Sequence, residues 1–128
     1  MSRHVISFMS QFVDKVLSGE KRQTIRAARK RPIKVGDMLI LATGARTKYY
    51  RKLGEARCLA AFPIQMTAAG VSGEIEGIWE WSAEWPRKLA RWDGFEATKD
   101  FRAFFETRYG FPFEGIVIRW SEIRKEGA

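Results

Sequence analysis

Gly19-Glu20-Lys21-Arg22-Gln23-Thr24-Ile25-Arg26 is the stretch on which the reading of this chain turns. It sets a lysine, a hydroxyl and two arginines within a few residues. Just upstream, Phe12, Val13, Val16 and Leu17 recur at helical spacing, and Gly19 stands where the residue after a helix belongs. That pattern predicts a short helix ending at the octet, which itself reads as extended. Before the helix, Val5 to Phe8 reads as a strand.

A lysine three residues before a threonine has two readings. Lys21 can serve as a base for the Thr24 hydroxyl, which would then attack an acyl carbon. The lysine must be neutral to do so, which requires lowering its pKa by about 3 units, or roughly 4–5 kcal/mol. Burial and neighbouring cations such as Arg22 and Arg26 supply shifts of that kind. In a regular strand residues i and i+3 face opposite sides, so the two meet only if Lys21 precedes the strand or a bulge intervenes. The other reading is a solvated cationic lip.

Working outward, Ala27 to Pro32 is a basic loop in which Pro32 argues against helix. Val35-Gly36-Asp37 reads as a turn feeding a strand over Met38–Ala42. Gly44 to Gly54 is a second basic loop, carrying Tyr49 and Tyr50, and Glu55–Met66 reads as a long strand. Residues 67–82 suggest a hairpin arm, and Pro86 opens a short helix reaching Trp92. Thr98 is placed to cap a helix to Tyr109, with Phe101, Phe104, Phe105 and Tyr109 on its apolar face and Gly110 after it. Gly115 to Trp120 is a final strand. Four of the five tryptophans fall between residues 79 and 92, at spacings that suit a core or a barrel plug.

The length of 128 residues fits a single domain over 1–128. With 45% apolar and 30% charged residues, the composition is that of a folded globular chain. No apolar run reaches the roughly 18 residues a membrane span needs. Met1-Ser2-Arg3-His4 leads into a strand rather than a signal segment, so the expectation is a cytoplasmic protein. One cysteine, Cys58, excludes an internal disulfide, and with one histidine, His4, a structural zinc site is not expected. No metal or other cofactor is expected. The net charge of +8 is lopsided: residues 1–60 hold 14 basic and 4 acidic residues, the remainder 9 and 11. A basic half points to a polyanion, with nucleic acid ahead of a membrane surface. Arg22, Arg26, Arg29, Lys30, Arg46 and Lys48 are the candidate phosphate contacts, and Tyr49 and Tyr50 the candidate base-stacking rings. For an acid partner, Asp93 in a turn and Glu74, Glu76, Glu80, Glu84 and Glu96 are candidates that spacing alone does not separate.

The chain resembles ASCH-domain proteins of the PUA-like superfamily. The resemblance rests on the strand, the helix ending at Gly19, Gly-x-Lys-x-x-Thr-Ile-Arg, and Val35-Gly36-Asp37 opening a strand. Later come Asp93-Gly94-Phe95, the Thr98–Tyr109 helix and the last strand. It is most specific over residues 1–42 and weak over 61–88. It implies an α+β fold, a small PUA-like β-barrel flanked by short helices, with RNA or a modified cytidine nucleoside bound in a basic cleft. Some compact members are amidohydrolases that deacetylate N4-acetylcytidine, using threonine as nucleophile, lysine as base and glutamate as acid. Lys21 and Thr24 match the first two positions. The third aligns with Asp93, one methylene shorter. Three activities compete: recognition with or without that hydrolysis, ribonuclease action in the same cleft, and a non-catalytic protein-interaction adaptor.

Overall fold

The computed structural model describes residues 2–75, 78–83 and 85–125, with backbone alone for 74, 75 and 78–81. In chain order it runs β1 (Arg3–Phe8), a 3-10 turn (Ser10–Phe12), α1 (Val13–Ser18), β2 (Gln23–Arg26), β3 (Met38–Thr43) and β4 (Arg51–Thr67). Then follow β5 (Gly70–Ile75), β6 (Ile78–Ser82), α2 (Arg87–Trp92), α3 (Thr98–Tyr109), β7 (Phe113–Trp120) and β8 (Arg124–Lys125). The class is α+β, as the sequence implies.

Strand β4 organises the sheet. Its first half pairs with β3 and β8, its second half with β5 and β7. Register shifts at Leu41/Ala42 and Cys58/Ala60 let one long strand change partners as it bends. Beyond these, β1 lies parallel to β3, and β2 lies antiparallel to β7.

The expected barrel does not close, and this corrects the sequence reading. β1 and β2 each have an unpaired edge, and no ladder joins them among the described residues. Arginines cross the gap instead. Arg26 Nη2 donates to Ser7 O (2.8 Å), Arg29 Nη2 to Val5 O (3.0 Å), and Arg31 to Arg3 O. These carbonyls alternate along β1, as the free edge of a strand requires. A gap bridged by guanidinium groups is wider than the roughly 4.8 Å spacing of paired strands. Arg26 of β2 and two arginines of the expected nucleic-acid loop, Arg29 and Arg31, thus serve in part to seal a sheet edge.

Two apolar clusters fill the interior. One gathers Ile6, Phe8, Phe12, Val16, Leu39, Leu41, Leu53 and Trp120, and the other Ile25, Ile64, Met66, Leu89, Phe101, Phe105, Phe113 and Val117. Phe95 and Phe104 pack against both. The expected apolar face of α3 is the one that packs. Its cap sits one residue earlier than expected, at Ala97, and Pro86 is likewise the cap of α2 rather than its first residue. Of the tryptophans, Trp85 sits edge-on to Phe101, whereas Trp92 is exposed and stacks on Arg119 rather than entering the core. The side chains of Trp79 and Trp81 lie outside the described residues.

His4 is a core histidine. Its Nε2 lies 2.9 Å from Asp37 Oδ2, which also accepts the Lys34 N–H, while Oδ1 accepts Ser2 N–H. These bonds, the Lys34 N–H first, hold the Asp37 carboxyl down at about 2. The Val35-Gly36-Asp37 turn therefore pins the start of β3 to the start of β1.

Candidate functional site

The octet is stitched to the C-terminal end of α2, some seventy residues away. A helix end leaves carbonyls without helical partners. Here Lys21 Nζ donates to Asp93 O, Gln23 Nε2 to Leu89 O (3.1 Å), and the Arg22 N–H to Trp92 O (3.0 Å). Lys15 Nζ from α1 donates to Gly94 O (2.8 Å). The chain turns sharply at Gly19 (φ 86°), and Lys21 precedes β2, the arrangement that lets Lys21 and Thr24 share one side. Gly94 (φ 96°) lies against the Lys21 stem: a Cβ there would stand 3.1 Å from Lys21 Cδ.

Lys21, Thr24 and Asp93 are 2%, 4% and 3% exposed, yet all three line a single pocket. Ser7, Phe8, Met9, Phe12, Arg26 and Arg108 are among its other walls. The pocket holds about 430 Å³ of atom-free space, counting the part open to solvent, and sits where the two cores meet. Lys21 Nζ lies 3.7 Å from Asp93 Oδ2 and 4.8 Å from the centre of the Phe12 ring. Thr24 Oγ1 accepts a 2.9 Å bond from Arg26 Nε. Among the described residues, the amine and the hydroxyl thus hydrogen-bond to different partners within one pocket.

Burial dominates the titration of this pair. It pushes Lys21 down to about 8, against the opposing pull of Asp93 and with help from Arg26. It raises Asp93, against Lys21, the Gln23 hydrogen bond and Arg26. Both groups are drawn toward their neutral forms, as a base and an acid at neutral pH need.

The other sequence candidates scatter. Arg26 is in the pocket. Arg22 folds back on Gly19 O (3.1 Å), Arg29 seals the β1 edge, and Lys30 is exposed. Arg46, Lys48, Tyr49 and Tyr50 lie on an exposed loop anchored beside the pocket by the Ala45 N–H to Ser7 Oγ (3.1 Å). Glu96 lines a different cleft with Lys15 and Trp92. Glu76 and Glu84, and the side chains of Glu74 and Glu80, lie outside the described residues. Sequence reasoning missed Arg108 and Tyr109, which reach the pocket from the last turn of α3, and Gln23, which reads as an ordinary strand residue. Among the described residues no group of three or more His, Cys, Asp or Glu is placed to hold a metal. No helix there is long and apolar enough to cross a membrane.

No protein-family model matches the chain, and no curated protein matches it in sequence. A solved structure matches it in fold: the crystal structure of a mutant of ZmASCH from Zymomonas mobilis. The TM-score is 0.60 at 14% sequence identity, covering 97% of this chain and 70% of that one. This chain therefore has the fold of that ASCH structure, with an α+β architecture.

Proposed function

We propose that the Lys21 pocket is an amidohydrolase site for a nucleobase bearing an acylated amine, with N4-acetylcytidine as the expected substrate. The observation that carries this reading is a buried lysine, held at about 8, lining one pocket with a buried hydroxyl and a buried carboxyl. A lysine that served only as a solvated cation would gain nothing from losing its water. In the neutral form Lys21 accepts the Thr24 proton, and the Thr24 oxygen bonds to the acetyl carbon. Arg26, already donating to that oxygen, stabilises it as it loses the proton and is near the oxyanion that develops on the acetyl group. Collapse breaks the C–N bond. The leaving cytosine amine takes a proton from the Lys21–Asp93 pair, which returns the pair to its starting state with Lys21 neutral. Water then hydrolyses the acetyl-threonine ester, returning Thr24 and releasing acetate.

Incubation with N4-acetylcytidine, followed by mass spectrometry for cytidine, tests this. Thr24→Ala is expected to lower the rate by more than about a thousandfold; turnover equal to wild type overturns the nucleophile.

Recognition of an RNA strand is the second reading, supported by Lys48, Tyr49 and Tyr50 on the exposed loop anchored at the pocket rim. Single-stranded RNA is then bound with an affinity that falls steeply between about 50 and 200 mM salt. Binding independent of salt, or no binding at low salt, removes this reading.

A further inference from the structure

Gln23 is fully buried, and the mechanism above does not use it. All its polar hydrogens are committed: Nε2 donates to Leu89 O (3.1 Å) and to Asp93 Oδ1 (3.2 Å). Its Oε1 accepts from Arg119 Nε at 2.9 Å. These partners fix which way the amide points. Leu89 O only accepts and Arg119 only donates, so exchanging Oε1 and Nε2 would set oxygen against oxygen and donor against donor. Arg119 is itself held, its guanidinium 4.4 Å from the Trp92 ring and 5.1 Å from that of Phe62.

The consequence falls on Asp93. Because Gln23 donates to Oδ1, that oxygen must accept, and a proton on the carboxyl belongs on Oδ2. Oδ2 is the oxygen that faces Lys21 Nζ. We infer that Gln23, clamped by Arg119, is a positioning residue that directs the Asp93 proton to Oδ2, and so to Lys21 and the pocket. Its link to catalysis rests on the hydrolase reading; the polarity of the pair does not. The other charged or titratable groups around the pair are Arg26 from β2, Lys15 from α1, and Arg108 and Tyr109 from α3. None of them hydrogen-bonds Asp93 Oδ1 among the described residues, so the Gln23 amide alone sets this polarity.

The test is a pH titration of the whole chain labelled with 13C at the lysine ε-carbons, with the Lys21 signal assigned from Lys21→Met. The Gln23 bond favours ionised Asp93, which in turn favours protonated Lys21. Gln23→Met removes the bond and is expected to lower the Lys21 midpoint by about one pH unit. Arg119→Met frees the amide and is expected to move it the same way, so the comparison survives if one variant does not fold. Gln23→Glu keeps the shape and supplies either a shared proton toward Oδ1 or a further anion, so it does not lower the midpoint. An unmoved midpoint in Gln23→Met and Arg119→Met overturns the inference, as does an equal fall in Gln23→Glu, which would mark simple packing. Loss of deacetylation with these shifts intact would remove the hydrolase reading and leave this one standing.

Discussion

Asp93→Ala is expected to cost about 3–5 kcal/mol of stability at neutral pH, read as a lower midpoint in urea unfolding. The substitution leaves the Lys21 ammonium buried beside Arg26 without its counter-ion. Removing one partner of a buried pair is far more damaging than removing an exposed one, because the remaining charge has neither water nor an opposite charge. The pH dependence has a definite sign. Lys21 titrates at about 8 in the folded chain and near its ordinary value of about 10.4 when unfolded. Between those values the unfolded chain holds more protons, so stability rises with pH through that window. The loss in Asp93→Ala is therefore expected to shrink as the pH approaches about 10, where folded Lys21 is neutral with or without Asp93. A loss that stays constant or grows over that range would mean that Asp93 does not act through the Lys21 charge.

Phe101→Ala is expected to cost a similar amount, about 3–5 kcal/mol, through a different cause. Phe101 is fully buried on α3, with ring contacts to Trp85, Phe95 and Phe105 at 5.2–5.7 Å. Removing the ring opens a cavity bounded by helix on one side and sheet on the other, which cannot easily collapse. Unlike the Asp93 effect, this loss does not depend on pH. Leu59→Ala is the matched comparison: Leu59 is 58% exposed at the β4 bulge and is expected to change stability by no more than about 0.5 kcal/mol. Equal losses at the two positions would contradict the packing described for α3.

Both effects bear on one design. The pocket lies where the two apolar clusters meet, and Phe95 and Phe104 belong to the packing of both. The same close packing that excludes water from Lys21 is what lowers its pKa. Stability and the candidate chemistry thus draw on the same burial. Phe12 shows this directly, since its ring packs against Phe95 and Phe104 and also lies beneath the Lys21 ammonium.

The elements were largely legible along the chain because their signals are local. Helical spacing and Gly19 marked α1 and its end, and the aromatic face of α3 is the face that packs. The rule that i and i+3 diverge within a strand left two ways for Lys21 and Thr24 to meet, a bulge or a Lys21 that precedes the strand, and Lys21 precedes β2. The resemblance to ASCH proteins pointed to the fold that the ZmASCH structure shares. Local signals could not say whether the sheet closes, because that depends on how two strand edges approach in space. The arginines of the loop after β2 read as phosphate contacts, whereas Arg29 and Arg31 are occupied with carbonyls of β1.

By itself, then, the sequence determined the α+β class, the strand–helix–strand framing of the octet, and the condition on which Lys21 and Thr24 could meet. The tertiary structure decided the rest of the site. It brought Asp93 to Lys21 across 72 residues and buried both, and it recruited Gln23 and Arg119 to orient the carboxyl. The physical reason is that pKa values and hydrogen-bond polarity are set by burial and by partners distant in the chain, and neither is written in local spacing.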